Sequence, residues 1–474
     1  MLKKSGFLPG WGVKGLVLLA MSGFCSARQQ LDTVVAEKNR SVAEFQIATF
    51  SADVTIPLNH RCMGVLPTKS RKILDPLLAK GFVLFGKGKP IVFCAIDWCE
   101  IRNGSYDQWR NVLAEAAGTS PLHVLVAALH QHDAPVVDRG AGALLKSVGL
   151  KDELYQERFH QETLKRVAKA VSYSLEEKIR VTHLATGKAR VGRIASNRRV
   201  LLPNRQVTFS RGSASGRNEA LSSAPEGTID PFLRTLSFWN QDKAILAMHS
   251  YATHPMSFYG RGEVSSDFVG LAREKLQRED FSVQQIYFSG CSGDVTAGKY
   301  NDGSRDNRKV LADRLHRAMK KSWESQEIIP ITKMDFRSEN LLLPYRQSDS
   351  LTRISLQQTL GDEALPTEKR ILAAMGLSSL NRVESKQPID FPVVDFGAAK
   401  IVLFPAEAFV GYQLMAQEIA GDQFVFSIGY GECWPGYIPT RSAFQDGFDD
   451  QWLWVDPGCE QLIRKSLTKL LINK

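Results

Sequence analysis

The sequence predicts an α/β fold of mixed sheets with flanking helices, on three observations. Apolar runs of strand length recur along the chain, and helical patterns lie between them. The composition, 43% hydrophobic and 23% charged over 474 residues, is that of an ordinary globular protein.

The N-terminus stands apart from this pattern. Lys3, Lys4 and Lys14 precede the apolar run "GLVLLAMSGF" (15–24), and "CSA" offers small residues before Arg28. That is the three-part pattern of a secretory signal peptide, too short for a comfortable membrane span. A signal peptide over 1–27, export of the mature chain and one domain over 28–474 are expected. Phe24 precedes Cys25, where lipidation signals prefer a small residue. The other six cysteines form an even number compatible with disulfides in an exported protein. No C-x-x-C pair occurs, which disfavours a cysteine-only zinc site.

The formal charge is +10, and +7 once Lys3, Lys4 and Lys14 are set aside, without a dominant basic block. No nucleic-acid motif accompanies it, so no nucleic-acid partner is expected, while contact with a membrane surface stays open. Oligomeric state leaves no signal.

The apolar runs "PIVFCAI" (90–96), "LHVLVAAL" (122–129), "AILAMHS" (244–250), "QQIYFSG" (284–290), "KIVLFP" (400–405) and "QFVFSIG" (423–429) predict strands. Helical spacing over 154–177 (Phe159, Leu164, Val167, Val171, Leu175) and 307–323 (Leu311, Leu315, Met319) predicts two helices, and "CEQLIRKSLTKLL" a third. The Ser- and Gly-rich stretch 210–228 reads as an exposed loop.

Chemistry-bearing residues follow several of these runs. "VLVAALHQHDAP" (124–135) ends in two imidazoles, and strand alternation would turn His130 and His132 to one face. The later runs lead to His254-Pro255, to "SGCSGDVTAG" with Asp294 and Thr296, to Pro405-Ala406-Glu407, and to "YGECWPGYIPT" with Glu432 and Tyr437. Ligands in α/β sheets gather outside strand ends, so these loops can meet at one pocket. Two histidines, a carboxylate and one further oxygen ligand suit a catalytic zinc ion, which lowers the pKa of bound water towards about 7 and polarises a carbonyl. Spacing alone does not select the ligands: His254 can be a turn residue and Glu407 a helix-start carboxylate. His249 is the substitute if His254 is not the metal histidine, and His316 reads as a boundary residue of its helix. Asp97 can support a metal-bound histidine or close a strand-end hydrogen bond. "DGFDD" (446–450) and "NDGSRDN" (301–307) read as solvated turns, short of a calcium loop.

The ordered blocks "SADVTIPLNHRCMG" (51–64), "LHQHDAP" (129–135), "SNRR" (196–199), "IDPFLRTLSF" (229–238), "ATHPMSFYG" (252–260), "SSDFVG" (265–270), "SGCSGDVT" (289–296), "FPAE" (404–407) and "GYIPT" (436–440) resemble the catalytic domain of neutral/alkaline, non-lysosomal ceramidases, and more closely the short bacterial proteins grouped with them. The resemblance implies His130, His254, Glu407 and Tyr437 as ligands of one Zn2+. It makes His132 the acid/base histidine and Arg198 a contact to the substrate or to developing charge, with Asp294 beside the substrate. The implied activity is hydrolysis of the amide bond of a ceramide-like N-acyl lipid or related amide by a zinc-activated water. Thr296 stands where the family has a serine beside the zinc, "LHQHDA" replaces "THTHSG", a second tyrosine after Tyr437 has no match, and no C-terminal immunoglobulin-like domain is expected. Two other readings remain: a catalytically silent lipid- or carbohydrate-binding relative, and a serine hydrolase using Ser292. For the latter, "SGCSGD" departs from G-x-S-x-G by placing Asp294 at the last glycine.

Overall fold

The computed structural model describes residues 44–472; the expected signal peptide and Cys25 lie outside them. Three mixed sheets carry the fold, and each has one parallel pair. In the first, Val124–Ala128 runs parallel to Ile91–Ile96, and Leu78–Phe85, Phe45–Asp53 and Ile179–Val181 continue it antiparallel. In the second, Gln284–Ser289 runs parallel to Lys243–Tyr251, followed antiparallel by Phe232–Asn240, His183–Arg190 and Glu327–Pro330. In the third, Phe424–Ile428 runs parallel to Ala399–Leu403, with Ile389–Asp395 and Asp335–Leu341 beyond. Parallel neighbours cannot be joined by a tight turn, so a helix bridges each pair: Asn103–Ala117, Asp267–Glu279 and Val410–Ala420.

The six strands expected from the sequence are the six members of these parallel pairs. They are covered on both faces; Ile91–Ile96 and Val124–Ala128, for instance, are buried at every residue. They therefore read as unbroken apolar runs. The three parallel edges meet. Gln284–Ser289 contacts both parallel strands of the first sheet, and Phe424–Ile428 contacts Lys243–Tyr251. Ser289 Oγ donates to the Leu129 carbonyl at 2.8 Å and Ser250 Oγ to the Ser427 carbonyl at 2.6 Å. Six strand ends are thereby gathered.

The helix expected over 154–177 is Glu157–Ser174. His160, Thr163, Leu164, Val167 and Val171 recur at three- and four-residue spacing on its buried stripe, which packs on Phe45–Asp53 and on Asn103–Ala117. Burial of Val167 contributes about 1.5–3 kcal/mol, so a charge at that position would break this layer. The helices expected over 307–323 and at the C-terminus are Arg305–Glu324, whose Ser304 cap accepts from the Asn307 amide, and Cys459–Ile472. No described helix is long and apolar enough to cross a membrane.

Two expectations are corrected. The stretch 210–228 is not simply an exposed loop: Arg211 is fully buried and donates to the carbonyls of Asn197, Leu221 and Pro225. The five donors of a guanidinium can organise a turn that has no apolar period. Cys62, Cys94, Cys99, Cys291, Cys433 and Cys459 are not disulfide-bonded. All six are buried free thiols, packed as small apolar groups.

Candidate metal centre

The carboxyl ends of the parallel strands deliver the site. His130 and His132 follow Ala128, His254 follows Tyr251, Glu407 follows Leu403, and Tyr437 follows Ile428. The convergence of His130 and His132 does not come from strand alternation. The strand stops at Ala128, and His130 turns the chain with φ 70°; Ala406 (47°) and Tyr430 (58°) adopt the same left-handed region after their own strands. Left-handed backbone costs a non-glycine residue on the order of 1–3 kcal/mol and persists where the surroundings over-determine it.

Both imidazoles are fixed from behind. His254 Nδ1 lies 2.6 Å from the Ser292 carbonyl and His130 Nδ1 lies 3.0 Å from the Cys99 carbonyl. A carbonyl only accepts, so each Nδ1 carries a proton and each ring turns its Nε2 towards the centre. Those two nitrogens meet the same Glu407 oxygen, at 3.0 Å from His254 and 3.2 Å from His130. A proton or a metal ion held among these three atoms offsets their mutual repulsion. His132 stands beside them, its ring 5.2 Å from that of His130, with neither nitrogen hydrogen-bonded within the protein. Ligand atoms of His130, His132 and His254 lie within 4.8 Å of one another, as do those of Glu100, His130 and Glu407. These buried groups can bind a metal ion: two imidazole nitrogens and a carboxylate oxygen that converge on one point are a donor set that suits it.

Charge follows the same geometry. Burial opposes ionisation of Glu407, but His130 and His254 overcome it and hold the carboxyl well below the usual range. Burial also opposes charge on His130, where Glu407 and Cys99 outweigh it and raise the pKa well above 6.5. One carboxylate does not serve two imidazolium ions, and burial keeps His254 low. Burial, then His130 and His254, push His132 well below 6.5, leaving it neutral.

A cavity of about 140 Å³ opens above these groups. Arg198 and Tyr437 line it together. Tyr437 pairs in register with Glu407 on two short parallel strands, and Arg198 Nη1 donates to its hydroxyl at 2.7 Å. Arg198 Nε has no hydrogen-bond partner within the protein.

Asp294 and Thr296 do not line this cavity. Asp294 Oδ1 accepts from the Val410 amide at 2.7 Å and Oδ2 from Asn197 Nδ2 at 2.8 Å, while its carbonyl accepts from the Arg198 amide. It is the carboxylate at the start of helix Val410–Ala420, the place the sequence also allowed for Glu407, and its carbonyl holds the Arg198 segment. Thr296 Oγ1 accepts from the Gly298 amide at 2.9 Å and so closes a turn that otherwise leaves a buried donor unpaired.

The other candidates separate cleanly. Ser292 Oγ pairs with the Tyr430 hydroxyl at 2.7 Å, and it is the serine's carbonyl that meets His254, so no base faces the hydroxyl. His249 is held between Thr235 Oγ1 and Gln285 Oε1, each at 2.9 Å, inside the second sheet. His316 lies 2.8 Å from Glu279 on the flanking helices. Asp97 makes a two-pronged pair with Arg273 at 2.8 Å and accepts from Gln131 at 3.2 Å. It braces the loop between the two histidines and touches neither.

Sequence reasoning missed Glu100, Tyr430 and Tyr259. Glu100 accepts from Arg102 at 2.8 Å and from Trp452 Nε1 at 3.0 Å; burial, opposed by Arg102 and reinforced by Glu407, pushes its carboxyl up to about 7. Tyr430 stacks on His130 with ring centroids 4.5 Å apart, and Tyr259 meets His132 edge-on at 4.6 Å. Glu100 follows the run 90–96 as His130 follows 122–129, so the strand-end argument could have found it.

Fold and site together define a ceramidase-like α/β fold with a buried His/Glu centre. Among solved structures the chain is similar to a ceramidase complexed with C2, with TM-score 0.65 and 15% identity over 91% of this chain and 75% of that one. It is similar also to neutral ceramidase from Pseudomonas aeruginosa, with TM-score 0.63 and 17% identity over 90% and 74%. No family model and no curated protein sequence matches it.

Proposed function

We propose that the protein is an exported, zinc-dependent amidohydrolase that cleaves the amide bond of a ceramide-like N-acyl lipid or a related amide. The observation that carries the reading is the meeting of His130 Nε2 and His254 Nε2 on one Glu407 oxygen, both rings locked by backbone carbonyls. Two imidazoles and a carboxylate, with Tyr437 beside them, suit zinc. When bound, zinc supplies a Lewis acid for the amide carbonyl and a lowered pKa for water.

The chain's own residues account for the rest. His132, neutral and free of hydrogen bonds, can take a proton from the attacking water and pass it to the departing amine nitrogen. The free Nε–H of Arg198, held in place by Tyr437, can donate to the carbonyl oxygen as negative charge develops. Met63, Met256 and Trp452 wall the cavity with apolar surface and limit water. Lys3, Lys4 and Lys14 ahead of the apolar run 15–24 support export.

Metal analysis of protein purified without added metal, followed by hydrolysis assays across ceramides and other N-acyl amides, tests the reading. About one zinc per chain is expected, with turnover lost to a chelator and restored by zinc. A zinc-loaded protein that turns over none of these compounds would instead be a binding relative. Turnover indifferent to chelator but blocked by a serine-directed phosphonate would return the chemistry to Ser292.

A further inference from the structure

The parallel strands of the first and third sheets bear the metal centre at their carboxyl ends, and their amino ends open on a different feature. Ile91 begins one strand, His123 precedes the next, Lys400 lies near the start of the third and Gln423 precedes the fourth; all four residues line a cleft of about 910 Å³. Strands of five or six residues set this cleft on the order of 20 Å from the metal centre.

The cleft is polarised. Five cations line it, Lys87, Lys89, Lys333, Arg337 and Lys400, against the carboxylates Asp335 and Asp395. Both carboxylates are engaged: Asp395 with Arg337 at 2.6 Å and with Lys400, and Asp335 with Lys333 at 2.9 Å. Lys87 and Lys89, exposed on the turn after Phe85, form no ion pair among the described residues and carry two of the three surplus positive charges. Other parts of the lining are apolar. Phe336 stacks on His123 at 4.3 Å, Ile419 and Leu471 continue the floor, and Ile472 adds an exposed apolar edge.

We propose that this cleft binds an amphiphile with an anionic head group and a single alkyl chain, such as a long-chain carboxylate. The head group lies between Lys87 and Lys89 and the chain along the apolar floor. Pockets that take whole small ligands run to about 300–1,000 Å³, and this cleft falls among them. The unpaired cations on one turn, with apolar surface elsewhere in the same cleft, match the polarity of such a ligand from end to end. The inference does not depend on amide hydrolysis.

Calorimetric titration of the full chain with dodecanoate below its micelle concentration tests it. Dodecanoate is expected to bind, while acetate, which lacks the chain, and dodecyltrimethylammonium, which reverses the charge, are not. Lys87→Glu combined with Lys89→Glu should weaken binding about tenfold or more, the worth of a charge-assisted contact. Ile472→Asp should weaken it through the chain. All three positions are exposed, and circular dichroism verifies that the variants fold. Unchanged dodecanoate affinity in the double variant, or acetate binding as well as dodecanoate, overturns the proposal. So does sedimentation with phosphatidylglycerol vesicles without any dodecanoate binding, which would make this end a bilayer contact.

Discussion

His160 and His249 are as deeply buried as His130 and His254, but their surroundings differ in kind. His160 accepts from Trp109 Nε1 at 3.0 Å and meets the Tyr155 hydroxyl at 2.9 Å; His249 has a neutral partner at each nitrogen. Burial pushes these rings down to about 3 and about 4, and they sit in the core as neutral hydrogen-bonding groups. In the candidate centre each second nitrogen faces a carboxylate that already faces another imidazole, and neither nitrogen of His132 has a hydrogen-bond partner within the protein. Burial therefore does not separate a structural histidine from a functional one. The charge opposite its second nitrogen does.

The largest expected effect breaks the centre and spares the core. His130→Ala or His254→Ala should remove most of the bound metal, whereas His160→Gln should leave the metal content intact; metal analysis of the three variants checks this. Full occupancy in both site variants would erase the distinction between core and site histidines. Next comes His132→Ala, which should keep the metal and lose turnover by about 10² to 10⁴ fold. Loss of metal in this variant would exchange the roles of His132 and His130.

The core histidines are expected to show themselves in stability against pH. Their folded pKa values lie below the unfolded 6.5, so the unfolded chain binds the extra protons and stability falls as pH drops from about 6.5 towards 4 and 3. At pH 5 each ring should have cost about 2 kcal/mol, and His160→Gln or His249→Gln should flatten the slope by one proton. Urea unfolding at pH 7 and pH 5 measures it, and an unchanged slope would mean that these rings are not held neutral.

The smallest effect concerns Thr296. Thr296→Val should lower stability by about 1–3 kcal/mol, because the Gly298 amide loses its acceptor, and leave turnover per folded molecule unchanged. A fall in kcat at equal stability would bring the hydroxyl back into the reaction.

Legibility in the sequence tracked burial on two faces. Each strand of the three parallel pairs was readable as a continuous apolar run. Antiparallel strands such as His183–Arg190 and Asp335–Leu341 mix buried and exposed residues, and no uninterrupted run marks them. The helix Glu157–Ser174 was visible through its stripe. Helix Thr367–Glu384, buried around much of its circumference, has no sharp polar face to give a period.

By itself the sequence determined which loops carry chemistry, because imidazoles, carboxylates and glycine turns directly after buried strands are a local pattern. Only the tertiary structure decided which of them meet. His130 and His254 are 124 positions apart and Glu407 lies 153 beyond His254, so their meeting on one oxygen depends on three parallel edges packing together. Asp294 and Thr296 look like site residues in one dimension, yet they are claimed by the nearest unpaired backbone amides, those of Val410 and Gly298. A buried N–H must find an acceptor, and which acceptor lies within reach is fixed by packing, not by spacing along the chain.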